Sequence, residues 1–123
     1  MNEQQTLFVL RQMMNESEKE LELYAKTKNK SLLMQAGEKM WNASTQLINL
    51  NQMRLDLPIS YQHNQTIKYM NNLKLSSTDL ADLKRISQQL HNNFYTGRFV
   101  EYEIRGKLKR LKEIINKLLI RMR

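Results

Sequence analysis

The chain has 123 residues, 41% hydrophobic and 26% charged, with three glycines, one proline and no cysteine. This describes a globular protein of modest core whose few breakers favour long helices, and it excludes a disulfide scaffold, a thiolate zinc site and a cysteine nucleophile. The net charge of +8 arises wholly in residues 63–123, which hold thirteen Lys/Arg against five Asp/Glu, whereas residues 1–62 hold seven of each.

In the first segment Leu7, Leu10, Met14, Ser17, Leu21 and Tyr24 recur at spacings of three and four, one face of a helix. Glu16, Glu18, Glu20 and Glu22 alternate, and a helix spreads them over its solvated side. The periodicity stops near KTKNKS, where a tight turn is expected. A second helix begins near Ser31, with Leu33, Ala36, Gly37, Met40, Ser44, Leu47 and Ile48 as its buried stripe. Its small members predict close approach of a neighbouring helix, and the first two helices read as an antiparallel hairpin. Trp41 lies at the edge of this stripe and is expected to pack. Base stacking by it would require exposure.

The stretch LDLPISYQHN, with Pro58, reads as irregular, and its His63 as a cap or packing residue. A short helix follows, marked by Ile67, Met70 and Leu73. LSSTDLADL opens another, with Ser76 and Asp79 as a capping pair. Leu80, Leu83, Ile86 or Ser87, Leu90 and Phe94 form its inner face, and Gly97 is its natural C-cap. The last helix runs from about Val100 to Met122, with Ile104, Leu108, Leu111, Ile115, Leu118 and Met122 in a heptad-like seam. No strand-like alternation or internal repeat is present. The expected fold is all-α: one domain over 1–123, an antiparallel bundle of four long helices plus a short helix.

The N-terminus lacks the charged and apolar regions of a signal peptide, and no window reaches bilayer length. A cytoplasmic protein without membrane contact is expected. The basic C-terminal half suits a polyanion such as nucleic acid, or equally a solvated helix face. The candidate phosphate contacts are Lys84, Arg98, Arg105, Lys109 and Lys112. Two histidines without a paired carboxylate at ligand spacing point away from a metal site, and no Gly-rich phosphate loop occurs. Tyr24, Met40 and the other methionines read as core filler. No cofactor is expected.

Two stretches resemble a known family. QAGEKMWNASTQLI (Gln35–Ile48) is similar to the second-helix signature of archaeal PaREP-type proteins, and LHNNFYTG (Leu90–Gly97) is similar to their later Leu-His-x-Asn-Phe-Tyr motif. YQHN falls where these proteins often carry a histidine. The resemblance spans roughly Glu18 to Leu119. That family in turn resembles the HEPN superfamily of compact, commonly dimeric helical bundles. This implies a HEPN-like fold, RNA or nucleotide binding, a homodimer, and a place in a toxin–antitoxin or defence system with a cognate antitoxin or other protein partner. Many HEPN members are metal-independent ribonucleases carrying an Arg, four to six residues, then His. Here Arg85 and His91 have five residues between them. The nuclease subgroups often place a tyrosine two residues after the histidine, where this chain has Asn93, and Tyr95 follows two further on.

The candidate catalytic set is therefore Arg85, His91 and Tyr95. Histidine can move the proton of a 2′-hydroxyl near neutral pH, and an arginine fork can hold the growing phosphorane charge. On one helix His91 shares a face with Ser87 and Tyr95, with Lys84 and Arg98 two turns away, and Arg85 lies about 120° round. Convergence of Arg85 and His91 would need a phosphate or a partner's helix beside them. Against the ribonuclease stands a histidine kept for structure at a helix end, in a non-enzymatic homodimeric module that binds a partner protein.

Overall fold

The computed structural model describes residues 1–122. Their helices are α1 (Glu3–Thr27), α2 (Lys30–Arg54), α3 (His63–Tyr69), α4 (Ser77–Thr96) and α5 (Glu101–Arg121), with one 3₁₀ turn at Met70–Asn72 after α3. No strand occurs among the described residues. The four long helices and the short one match the expected all-α bundle.

Capping chemistry sets the helix ends. Asn2 and Gln5 form a reciprocal capping box at the start of α1. Lys28, at φ 56°, turns the chain left-handed, and Asn29 then caps α2 through the Ser31 amide, so α2 begins one residue before Ser31. Ser76 accepts from the Asp79 amide as expected, and Gly97 closes α4 at φ +61°, where a side chain would be strained.

α2 is the central element. It buries residues on most of its circumference, among them Trp41, Ala43, Leu50 and Gln52 as well as the expected stripe. It runs antiparallel to α1, held by Ser17 Oγ donating to Ala36 O at 2.8 Å and by pairs of Glu16 with Lys39 and Glu3 with Arg54. α4 packs on another side of α2, where a Cβ at Gly37 would lie 3.2 Å from Leu90 Cδ2. The small stripe thus serves α4 as well as α1. α5 closes on α4 and α2 with Ile104, Leu108, Leu111, Ile114, Ile115 and Leu118 buried. These residues join Leu10, Leu47, Ile48, Leu83 and Leu90 in one core.

Three expectations change. Phe94 is only half-buried, and Asn93 faces inward instead, where its Oδ1 accepts from the Phe99 amide at 2.9 Å and shapes the α4–α5 turn. The irregular stretch ends sooner than its proline suggested, since α3 already begins at His63. Glu16 and Glu20 leave the solvated face for the α1–α2 seam. Lys39 holds the Glu16 carboxyl below its ordinary value, while burial pushes Glu20 up.

The loop before α3 is tied to α2 by polar groups. Buried Asn49 accepts from the Ser60 amide at 2.8 Å, and Gln52 donates to Pro58 O at 2.8 Å. These bonds satisfy backbone that would otherwise be stranded and fix where α3 starts. Of the three glycines, Gly106 alone has no fold reason: a Cβ there meets nothing within 4 Å. Mid-helix glycine costs about 1 kcal/mol relative to alanine.

Candidate functional site

Fixing the start of α3 brings His63 over α2. Trp41, 6% exposed, forms the floor, with His63 stacked on it at 4.7 Å between centroids and His91 of α4 likewise at 4.7 Å. The two imidazoles are 5.0 Å apart. Tyr95, one turn beyond His91, meets its ring edge-on at 5.6 Å. Trp41 therefore packs, and its burial removes it as an exposed base-stacking platform.

His91 Nδ1 lies 2.9 Å from Glu38 Oε1 and 3.1 Å from Oε2. With the carboxylate ionised, Nδ1 carries the proton and donates, which leaves Nε2 of a neutral ring with its lone pair. The Glu38 carboxyl is raised above its ordinary value by burial between α2 and α4, and the hydrogen bond from His91 partly offsets this. A carboxylate orienting an imidazole can serve proton transfer or structure, since both need a fixed ring.

Arg85 points elsewhere. Its Nη2 bonds Asp82 Oδ1 at 2.9 Å, and Asp82 is shared with Arg110 of α5. Arg110 and Lys117 also grip Asp79, and together hold its carboxyl down to about 2. Arg85 thus belongs to a network joining the start of α4 to α5, whereas His91 faces α2 and α3. Within one chain the two occupy separate environments, as the 120° offset implied.

The other expected cations also divide. Lys84 bonds Asn71, Arg105 pairs with Glu101 at 2.8 Å, and Lys112 pairs with Glu18. Lys109 and Arg98 are exposed without an ion-pair partner among the described residues. Arg105, Lys109 and Lys112 flank a groove between α1 and α5, floored by Met14, Met40 and Leu108. Arg98 instead lines a concavity of about 470 Å³ with Gln89, Asn92, Tyr95 and Phe99. Lys107 contacts two of its lining residues, donating to Gln89 Oε1 at 2.7 Å and lying 4.8 Å from the Phe99 centroid.

The family model described as Archaeal PaREP1/PaREP8 family matches residues 12–115. The protein belongs to the archaeal PaREP1/PaREP8 family. The match takes in Glu38, Trp41, His63, His91 and Tyr95, so the whole aromatic–histidine cluster of this PaREP1/PaREP8 protein lies inside the family region. No curated protein and no solved structure matches the chain.

Sequence reasoning missed the role of Glu38 in this cluster and the seat of His63. Glu38 and Trp41, three apart on α2, share a helix face, but nothing in their spacing says that α3 and α4 each bring a histidine to it. Among the described residues no three His, Asp or Glu side chains form a metal-holding group, and no helix is long and apolar enough to cross a membrane.

Proposed function

We propose that this PaREP1/PaREP8 protein binds RNA or a nucleotide at the C-terminal half of α4, in keeping with the HEPN-like reading, and does so in the cytoplasm. The observation that carries this is Tyr95: it is 73% exposed, touches the ring of His91, and shares one concavity with Arg98 and Asn92. An exposed aromatic face stacks a base of any sequence. The Arg98 guanidinium, with no ion-pair partner among the described residues, fits a phosphate, and the Asn92 and Gln89 amides suit base edges. The test is fluorescence anisotropy with a labelled single-stranded RNA and with free nucleotides. Tyr95→Ala and Arg98→Glu should each weaken binding about tenfold or more, in the range of one lost stacking or charged contact. Wild-type protein that binds neither probe at low salt would sink the reading.

Metal-independent cleavage is the finer step. The Glu38–His91 pair supports it, because an oriented imidazole with a free Nε2 can accept the 2′-hydroxyl proton. Arg98, beside Tyr95, is better placed than Arg85 to meet the phosphate. Incubation with mixed RNA, with and without chelator, tests it, and His91→Ala should abolish any cutting. A toxin or defence role with a cognate antitoxin goes with this outcome.

A second reading, a non-enzymatic module that dimerises or docks a protein, is favoured by a neighbouring concavity farther along α1 and α5, toward the C-terminal end of α5. Its apolar residues include Met14, Leu119 and Ile120, the last 62% exposed. Light scattering showing a monomer at high micromolar concentration would count against the homodimer.

A further inference from the structure

Gly106 sits mid-helix in α5, exposed, with open space where a Cβ would be. Gly37 makes room for Leu90 and Gly97 turns the chain, but Gly106 weakens its helix for no packing gain. One turn before it stands Tyr102, 87% exposed, and three residues after it Lys109. These residues frame a shallow concavity of about 700 Å³ that Arg105 and Lys107 also border. Missing side chains on a helix surface commonly mark the close approach of another group.

We propose that the notch over Gly106 seats the sugar–phosphate backbone of a single-stranded nucleic acid, with Tyr102 stacking a base and Lys109 meeting a phosphate. This rests on the RNA-binding reading above and extends its contact surface from α4 onto α5, with Lys107 lining the notch and bonded to Gln89 of the α4 concavity. Charge complementarity argues for this occupant: residues 98–123 hold nine Lys/Arg against three Asp/Glu, and phosphate contacts dominate such affinity. A partner helix would instead need apolar shoulders, since charged residues are depleted at the centre of protein interfaces. The shoulders here are charged instead: Arg105, Lys107 and Lys109 against Glu101 and Glu103, with a tyrosine beside them. The backbone amides of α5 are spent within the helix at this depth, so the notch contributes room while the side chains contribute attraction.

The test is RNA binding by anisotropy at low and moderate salt, with thermal unfolding and light scattering on the same samples. Gly106→Gln should melt no lower than wild type, because it removes a helix-weakening residue, yet bind the labelled single-stranded RNA at least tenfold more weakly. Tyr102→Ala should lose several-fold. Gly106→Ala, with a smaller intrusion, should fall between wild type and Gly106→Gln. If Tyr95→Ala loses binding while Gly106→Gln binds as wild type, the notch is overturned and the α4 site stands. If wild type binds no RNA, both fall. If Gly106→Gln changes the oligomeric state with RNA affinity intact, the notch docks protein and the proposal is wrong.

Discussion

His91 Nδ1 and Glu38 Oε1 lie 2.9 Å apart, joining residues 53 positions distant in sequence. The bond ties α4 to α2 and orients the ring that stacks on Trp41. His91→Ala should destabilise the protein by about 1–3 kcal/mol, the cost of leaving a half-buried carboxylate without its donor. Glu38→Gln keeps an acceptor oxygen and should cost less. Circular-dichroism melting curves of the two variants check the order, and equal melting temperatures for His91→Ala and wild type would mean the pair contributes nothing to the fold.

Arg85→Ala should leave RNA binding within about twofold of wild type, because its guanidinium is spent on Asp82 at 2.9 Å and exposed pairs contribute only about 0–1 kcal/mol. Arg98→Ala should weaken binding more. Side-by-side titrations decide between them. A larger loss at Arg85 would show that a second copy, or the bound RNA, draws Arg85 toward His91.

Acid should unlock the joint between α4 and α5. The Asp79 carboxyl is held at about 2, first by its hydrogen bond from Lys117 and then by that from Arg110, against 3.8 for an ordinary aspartate. A group depressed in the fold contributes stability that is present above the unfolded value and lost as pH falls through the folded one. Stability should therefore decline as pH drops from near 4 toward 2. Asp79→Asn should flatten that decline while lowering stability at neutral pH. Urea unfolding at a series of pH values checks both slopes, and parallel curves for the two proteins would exclude Asp79 as a cause.

RNA affinity should fall steeply with salt, with a slope of about −0.7 per phosphate contact for a single strand. Lys109→Glu is the cleanest variant, since glutamate at Arg105 or Lys112 would also remove the close cation from Glu101 or Glu18. It should weaken binding and make the slope shallower. Affinity that ignores both salt and this substitution would leave the basic face of α5 a solubility feature.

Gly37→Val should destabilise by about 1–3 kcal/mol through overpacking, because even a Cβ there comes to 3.2 Å from Leu90 Cδ2. Thermal melting would show it, and an unchanged melting temperature would mean that α4 can move outward freely.

Some features were legible from local pattern. The apolar stripes of α1, α2 and α5, the Ser76 and Gly97 caps and the basic second half all follow from periodicity, turn chemistry and composition, which act within a few residues. The motifs around Trp41 and His91 also carried the family. Tertiary structure alone decided which faces meet. Helical spacing placed Arg85 about 120° from His91, but not that Asp82 would take one and Glu38 the other. It could not seat His63 on Trp41, because that depends on a loop pinned by Asn49 and Gln52. Nor could it tell that Arg105 and Lys112 would find acidic partners while Lys109 and Arg98 find none among the described residues. Periodicity specifies the face a residue shares on its own helix. Its partner on another helix is set by how all the helices rotate and cross to fill one core, a sum over the whole chain that no short stretch contains.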